Sequence, residues 1–255
     1  LNKATDKAPN EQLVLKQFLK KKINSSLAER AYYSGRYAYL CCAGYATSRL
    51  YGMWTGEWNP GWGSKYTMDA NVNLQLSSMN TGNITSTYIG YVNFLLRQMP
   101  DWEENALATH GFTDAIQAPV NSDGDRAVIT ETCYPYPFRY WNAGTSWMLQ
   151  PLYETLQCCG DVQIPLSDEF DLDCLKSCLY ITDRDIEEIT ERGYLDLRSE
   201  ILLPLLTKSA NYWQRLMTAE YYTDKNGNIR NDYLKFCFEN SKRAYIAPKI
   251  SDIII

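Results

Sequence analysis

The chain has 255 residues, of which 45% are hydrophobic and 22% charged, so a disordered chain is excluded. Its formal net charge of −5 argues against nucleic acid as a partner, because phosphate binding needs a basic face. No apolar stretch approaches the roughly 20 residues that cross a bilayer, so no membrane partner is expected.

Two helices are predicted before residue 43. Apolar residues recur at helical spacing between residues 11 and 22 and predict the first helix. Asn24, followed by Ser25 and Ser26, breaks this pattern and is a suitable N-cap for a second helix that ends at Cys42. The second helix contains the string Tyr-Ser-Gly-Arg-Tyr at residues 33–37.

Residues 51–75 form the most informative stretch, which we call the signature loop. Pro60 and several glycines exclude a long helix here, so we expect a loop that holds flat rings at the rim of a cleft. Aromatic residues recur at every fourth position of this loop: Trp54, Trp58, Trp62 and Tyr66. Aromatic faces at a cleft rim suit the C–H faces of a sugar.

A row of polar side chains follows the aromatic residues. In an extended segment Asp69, Asn71, Asn73 and Gln75 point the same way, because alternate residues share a face. Amides both donate and accept hydrogen bonds, so this row suits a polyhydroxylated ligand. A buried aromatic cluster beside a satisfied Asn/Asp turn network is the alternative interpretation, and the residue types alone do not separate the two.

The string Trp-Asn-Pro-Gly-Trp-Gly-Ser-Lys-Tyr-Thr at residues 58–67, with the polar row behind it, resembles the signature loop of glycoside hydrolase family 95. That family consists mainly of α-L-fucosidases, with some α-L-galactosidases. Its usual pattern is Asn-Pro-Pro-Trp-Gly-Ser-Lys-Tyr-Thr-Ile-Asn-Ile-Asn. The Gly-Arg-Tyr string at residues 35–37 is also similar to a helix that precedes the loop in the family.

The resemblance implies which residues act. Without a gap, the two active-site asparagines of the family fall on Asp69 and Asn71; with a two-residue shift they fall on Asn71 and Asn73. Asn71 is a catalytic candidate in both registers. In the ungapped register Asp69 departs from the family pattern, which leaves the identity of the sugar open. The four loop aromatics are implied to bind substrate.

The chain after the loop is predicted to be helical up to residue 110. A helix is expected from about residue 85 to residue 98, with apolar residues along one face. Pro100 is expected to break it, and Asp101 to cap a second helix. Residues 111–137 are loop-rich and contain a strong turn signal at residues 121–126.

Another helix is predicted between residues 140 and 157. Its start, Tyr-Trp-Asn-Ala-Gly-Thr-Ser-Trp, is similar to the start of an inner helix of the family. Trp141 and Asn142 are therefore substrate-binding candidates, and we expect residues 140–147 to face the same opening as the signature loop. For Trp147, core packing is an equally good interpretation.

Three further helices are expected near residues 171–180, 183–192 and 197–217, the last interrupted at Pro204. No strand of any length is expected, so the predicted fold class is all-α. The resemblance implies part of an (α/α)6 barrel, a toroid of helical hairpins with long loops at the cleft. We expect residues 1–255 to be a single, C-terminally incomplete catalytic domain with apolar side chains such as Leu203, Leu206 and Trp213 uncovered.

The resemblance implies an inverting, exo-acting α-L-fucosidase or α-L-galactosidase. Inversion needs a general acid and a base on opposite faces of the sugar. The family's acid lies in a Ser-Pro-Glu-Asn motif, and no glutamate occurs where that motif is expected, at residues 244–255. The family's aspartate that polarises the water-holding asparagine is expected farther toward the C-terminus and is absent too. Glu131, Glu154 and Asp123 are available carboxylates, but no spacing argument makes one a substitute. The chain alone is therefore expected to be inactive; a non-catalytic carbohydrate-binding remnant is the alternative.

No metal or cofactor is expected. The eight cysteines lack paired CxxC motifs, and a lone His110 favours a core or helix-end role. The chain starts with a polar segment, and an extracellular or periplasmic location is implied only for full-length members of the family. A helical scaffold unrelated to sugars explains the predicted helices but not the signature loop.

Overall fold

A computed structural model describes residues 6–51, 57–129, 141–167, 170–218 and Asn226. The all-α class predicted from the sequence is confirmed in these ranges, which are mostly helical. The helices are α1 (Asn10–Lys20), α2 (Ser25–Cys42), α3 (Asn71–Leu76), α4 (Tyr88–His110), α5 (Gly144–Cys159), α6 (Leu172–Leu179), α7 (Asp183–Arg192) and α8 (Leu203–Thr218). Within the described residues no helix is long and apolar enough to span a membrane.

Helix α2 begins as its sequence predicts and is held in place by hydrogen bonds to residues 82–83. The Asn24 side chain accepts a hydrogen bond from the backbone N–H of Leu27 at 3.1 Å, which satisfies one unpaired donor of the first turn. Farther along α2, Tyr32 donates to the carbonyl oxygen of Gly82 at 2.8 Å, and Arg36 donates to the carbonyls of Gly82 and Asn83. These bonds place α2 beside the segment that follows α3.

The expected break at Pro100 is wrong, because α4 continues through this proline to His110. A proline inside a helix costs about 3 kcal/mol or more through a lost hydrogen bond and a clash. Tertiary contacts around Pro100 offset this cost: Met99 and Trp102 are fully buried, and Asp101 forms an ion pair with Arg126 at 2.7 Å. Core packing on both sides therefore outweighs the local preference.

Two short strand pairs, which the sequence analysis missed, link the helices. Strand β1 (Tyr66–Thr67) pairs antiparallel with β2 (Asn121–Ser122), and β3 (Gln163–Pro165) pairs antiparallel with β4 (Tyr194–Asp196). Strands of two or three residues have no detectable alternation. The first pair ties the end of the signature loop to the segment after α4, and this connection places the candidate site.

The core lies where α4, α5, α6 and α8 pack against one another. A π-helical turn at Leu197–Leu202 leads directly into α8, so the helical segment continues through Pro204, where the sequence predicts an interruption. The largest fully buried side chains in this part of the chain are Trp102, Tyr91, Tyr212 and Phe94.

Candidate functional site

The row of polar residues at the end of the signature loop is not extended. Residues Asn71–Leu76 form α3, so the expectation that four alternate side chains share one face is wrong. In a helix, residues four apart share a face, and Asn71 therefore lies beside Gln75 instead of beside Asn73. The helix forms because Val72 and Leu76 reach the core through one face, which leaves the other face for polar groups.

Asn73 connects α3 to the start of α5. Its side chain is buried, and Nδ2 donates to the backbone carbonyl of Trp147 at 2.6 Å. In return the indole Nε1 of Trp147 donates to the carbonyl of Met68 at 3.1 Å. These two hydrogen bonds hold the beginning of α5 against the end of the signature loop. Asn73 is thus committed to positioning this segment, although its Oδ1 is buried without a partner.

Asp69 is the charged group of this segment. One carboxylate oxygen, Oδ1, is buried and has no hydrogen-bond partner among the described residues. Burial raises the pKa of Asp69, while backbone N–H groups of Asp69 and Ala70 oppose the rise by donating to the carboxylate. A half-buried carboxyl with a raised pKa and a free oxygen can accept a hydrogen bond from water or a sugar hydroxyl.

Asn71 and Gln75 occupy the polar face of α3 and are both half-buried. Gln75 Nε2 donates to the carbonyl of Arg49 at 3.1 Å, and this bond fixes the amide with its Oε1 turned away. Gln75 Oε1 is buried and has no hydrogen-bond partner in the described part of the chain. The face of α3 that carries Asn71 therefore has an unused acceptor one helical turn farther on.

The loop aromatics separate into different environments. Trp54 lies outside the described residues, and Trp62 lies in a short 3-10 turn, Gly61–Ser64, with its side chain outside them. Trp58 is fully exposed, and its place at a cleft rim stays a prediction. Tyr66 is buried, and its ring packs on Phe94 with centroids 4.7 Å apart, so its ring belongs to the core.

At the start of α5, Trp141 and Asn142 are both half-buried. Trp141 packs against the hydrophobic core, and an added Cβ on Gly144 would lie 2.5 Å from its ring, so this turn has no room for a larger residue. Asn142 Oδ1 accepts a hydrogen bond from the hydroxyl of Tyr212 at 2.8 Å, which fixes the orientation of its amide.

The hydroxyl of Tyr212 also lies 3.1 Å from Nε2 of His110. Burial lowers the pKa of His110 to about 4, so the ring is neutral at physiological pH. His110 ends α4 and stacks on Phe112, which agrees with the helix-end role expected from the sequence. Sequence reasoning missed Tyr212, because it occurs within an apolar helical pattern.

The available carboxylates make local contacts where the structure describes them. Glu154 accepts a hydrogen bond from Gln150 Nε2 at 2.9 Å on the surface of α5. Asp123 accepts from the backbone N–H groups of Asp125 and Arg126 and so closes the predicted turn. Glu131 lies outside the described residues.

The structure brings the end of the signature loop to the start of α5, as the sequence analysis expected for the two stretches. The contact consists of Met68 and Asn73 on one side and Trp147 on the other. The relative direction of Trp62 and Trp141 stays a prediction. Trp147, for which core packing was one of two interpretations, serves as a hydrogen-bonded anchor between the loop and α5.

The sequence model of the glycosyl hydrolase family 95 catalytic domain matches residues 1–188, well over half of the chain. The match covers the signature loop, α3 and α5, and it identifies a glycoside hydrolase. The chain belongs to glycosyl hydrolase family 95, and its class of substrate is carbohydrate. No curated protein and no solved structure matches it.

Proposed function

We propose that this chain carries the sugar-binding and water-positioning part of an inverting α-L-fucosidase or α-L-galactosidase active site. Asn71 and Asp69 contact the reacting sugar or the attacking water, and Asn73 positions the segment that bears them. Trp58, Trp141 and Asn142 contribute to substrate binding, and Trp54 and Trp62 belong to the same loop. Tyr66 supports this loop from the core.

The observation that carries the proposal is the environment of the segment from residue 69 to residue 73. Asn73 is buried and its Nδ2 donates to the carbonyl of Trp147, whereas Asp69 is only half-buried; each of the two side chains keeps one buried oxygen without a partner. This difference favours the ungapped register, in which the two family asparagines correspond to Asp69 and Asn71. The aspartate then replaces one of the two amides.

The replacement has a chemical consequence. An amide orients water but takes no proton at neutral pH, whereas a carboxylate does both. Asp69 can therefore polarise a water that Asn71 holds, on the base side of an inverting displacement. The printed sequence contains no Ser-Pro-Glu-Asn motif, so a general acid for the leaving oxygen is not assigned. General acid catalysis typically contributes about 10²–10⁴-fold to the rate of hydrolysis. We therefore expect the chain to bind the sugar but to hydrolyse it negligibly.

The first test is binding of L-fucose and L-galactose, measured by saturation-transfer NMR on the purified chain. Asn71→Ala should weaken binding of the preferred sugar by about fivefold or more, since it removes a hydrogen-bonding partner worth roughly 1 kcal/mol or more. Leu74→Ala is the matched control, because Leu74 is an exposed residue of the same helix. Equal binding by the wild type and Asn71→Ala would remove Asn71 from the site.

The second test is release of nitrophenol from aryl α-L-fucosides and α-L-galactosides, with the product anomer followed by NMR. We expect negligible turnover, because no general acid is assigned, and any product should first appear as the β-anomer, because the reaction inverts the anomeric carbon. Sugar binding without any turnover supports the non-catalytic alternative. Retention of configuration in the first product would contradict the inverting assignment.

A further inference from the structure

A chain of hydrogen bonds ends on the side chain of Asn142, just before α5. The hydroxyl of Tyr212 donates to Asn142 Oδ1 at 2.8 Å and lies 3.1 Å from His110 Nε2. A phenol has a single hydrogen, and because it is donated to Asn142, the histidine is the donor in the second contact. The neutral ring therefore carries its proton on Nε2. The bonds thus run in one direction, from His110 through Tyr212 to Asn142.

Ring packing alone does not explain the hydroxyl of Tyr212. The ring is buried and meets the rings of His110 and Phe112 edge to face, with centroids 5.5 and 5.8 Å apart. Phenylalanine would make the same ring contacts without a polar atom to bury. A buried hydroxyl costs free energy unless it is hydrogen-bonded, and His110 alone would satisfy it. The bond to Asn142 is therefore an addition that packing does not require.

A second contact fixes α8 against the start of α5. The hydroxyls of Ser146 and Ser209 lie 3.1 Å apart, and Trp213 Nε1 donates to Ser146 Oγ at 3.4 Å. Ser209 precedes Tyr212 by three positions in α8, so the two residues share a face of the helix. Two separate points of contact define how α8 lies against this segment, and they fix the place of the Tyr212 hydroxyl.

The bond from Tyr212 decides which end of the Asn142 amide is available. Oδ1 is occupied, whereas Nδ2 has no hydrogen-bond acceptor among the described residues. Asn142 is only half-buried, which leaves it accessible to a ligand. An NH2 group donates and does not accept, so the atom that it recognises is an acceptor, such as a hydroxyl oxygen or the ring oxygen of a sugar.

We infer that Tyr212, supported by His110, is a positioning residue of the sugar site and holds the Asn142 amide with its NH2 group toward a sugar oxygen. The inference rests on the proposed function for the role of Asn142 in sugar binding. The family model matches residues 1–188 and so does not assign Tyr212. The physical basis is preorganisation, because an amide that is already held in its binding orientation loses less freedom when the sugar binds.

The test is a double-mutant cycle on sugar binding. The purified chain is titrated with L-fucose and with L-galactose, and saturation-transfer NMR gives Kd for the wild type, Tyr212→Phe, Asn142→Ala and the double variant. Tyr212→Phe releases the amide into two orientations and about three χ1 rotamers. Binding of the preferred sugar should weaken by about two- to sixfold, because the binding-competent fraction falls by that factor. In the Asn142→Ala background the same change should have no effect.

Tyr91→Phe is the matched control. The buried hydroxyl of Tyr91 also donates to α5, but to the backbone carbonyl of Met148. Thermal melts should show a loss of stability in both tyrosine variants, since each loses a buried hydrogen bond. Any effect of Tyr91→Phe on Kd should be the same with and without Asn142→Ala, because the two residues share no partner. A merely structural role of Tyr212 predicts this same additivity for Tyr212→Phe.

The outcomes separate the positioning role from the proposed function. If a sugar binds in an Asn71-dependent way, but Tyr212→Phe has no effect or acts equally with and without Asn142→Ala, the positioning role is overturned and the proposed function stands. Binding that Asn142→Ala does not weaken also overturns it. If binding depends on Asn142 and through it on Tyr212, but not on Asn71, the positioning role stands and the assignment of Asn71 falls. Binding of neither sugar overturns both.

Discussion

Asp69 carries the charge in a segment whose other polar groups, Asn71, Asn73 and Gln75, are amides. Its carboxylate is half-buried with one oxygen unpartnered, so it bears a desolvation cost that an amide would not bear. A stabilising ion pair is a poor explanation for the residue, because its pKa is raised and no cation contributes to the shift. This environment resembles that of a carboxyl group with a role in binding or proton transfer.

Asp69→Asn should raise the melting temperature at pH 7 by up to a few degrees. Burial raises the pKa of Asp69 in the folded state above its ordinary value. The folded state therefore binds the proton more tightly than the unfolded state, and this contribution to stability is present in acid and lost as the pH rises through the raised pKa. Thermal melts from pH 3 to pH 7 should show a higher melting temperature for Asp69→Asn than for the wild type at neutral pH. This difference should become smaller as the pH falls.

Asp125→Asn is the matched control, because Asp125 is an exposed carboxylate in the turn after β2. The difference in melting temperature between this variant and the wild type should change little with pH. A benefit of Asp69→Asn that is equal at every pH would mean that burial of the charge is not its cause.

The separate roles of Asn71 and Asn73 could not be predicted from sequence. Both registers of the family resemblance make Asn71 a candidate, but the contacts of Asn73 depend on whether residues 71–76 are extended or helical. Six residues fit either period, and the decision comes from burial of Val72 and Leu76 in the core. The link from Asn73 to Trp147 crosses 74 positions of sequence, which no local pattern reveals.

At the scale of elements, the helix boundaries with caps were predictable and those decided by packing were not. Asn24 caps α2 and Thr182 caps α7 with a reciprocal bond to Asp185, and both starts were expected from the sequence. Pro100 gave the wrong boundary, because the cost of a proline was outweighed by buried neighbours that sequence alone does not show. Packing also decides whether a glycine inside a helix can be replaced by alanine, and it does so differently at two positions.

Gly90→Ala should destabilise the chain by about 1–3 kcal/mol, the usual cost of overpacking. A Cβ on Gly90 would lie 2.1 Å from the carbonyl oxygen of Gly44 and 3.1 Å from that of Ala46, and backbone atoms cannot move aside cheaply. In a chain of this size each kcal/mol lowers the melting temperature by roughly 2–4 °C, so differential scanning calorimetry resolves the effect.

Gly35→Ala is the opposite case in another helix. A Cβ there meets nothing within 4 Å, so the change should stabilise the chain by roughly 0.5–1 kcal/mol through helix propensity alone. Because both variants replace a helical glycine by alanine, the difference in stability between them does not contain the general effect of alanine on a helix. Equal stability of the two variants would contradict the close approach of α4 to residues 44–46.

At the scale of the whole molecule, two groups of apolar side chains are uncovered. On α1 and just after it, Phe18, Leu19 and Ile23 are 77%, 69% and 78% exposed. On α8, Leu203 and Leu206 are 60% and 41% exposed, as expected from the sequence, whereas the expectation is wrong for Trp213, which is partly buried and packs against Tyr212. Isolated exposed hydrophobic residues are common, but neighbouring ones on a helix face mark surfaces that tend to associate.

The last prediction is that the purified chain self-associates through these faces. Size-exclusion chromatography with light scattering should show a mass above 29.4 kDa that rises with protein concentration. Association is favourable because each Å² of apolar surface that it buries contributes about 25 cal/mol of free energy. Phe18→Gln combined with Leu19→Gln should shift the distribution toward the monomer. Leu107→Gln is the matched control, since Leu107 is 47% exposed on α4, outside both groups, and should leave the mass unchanged. A sharp monomeric peak for the wild type at every concentration would show that these faces do not drive association.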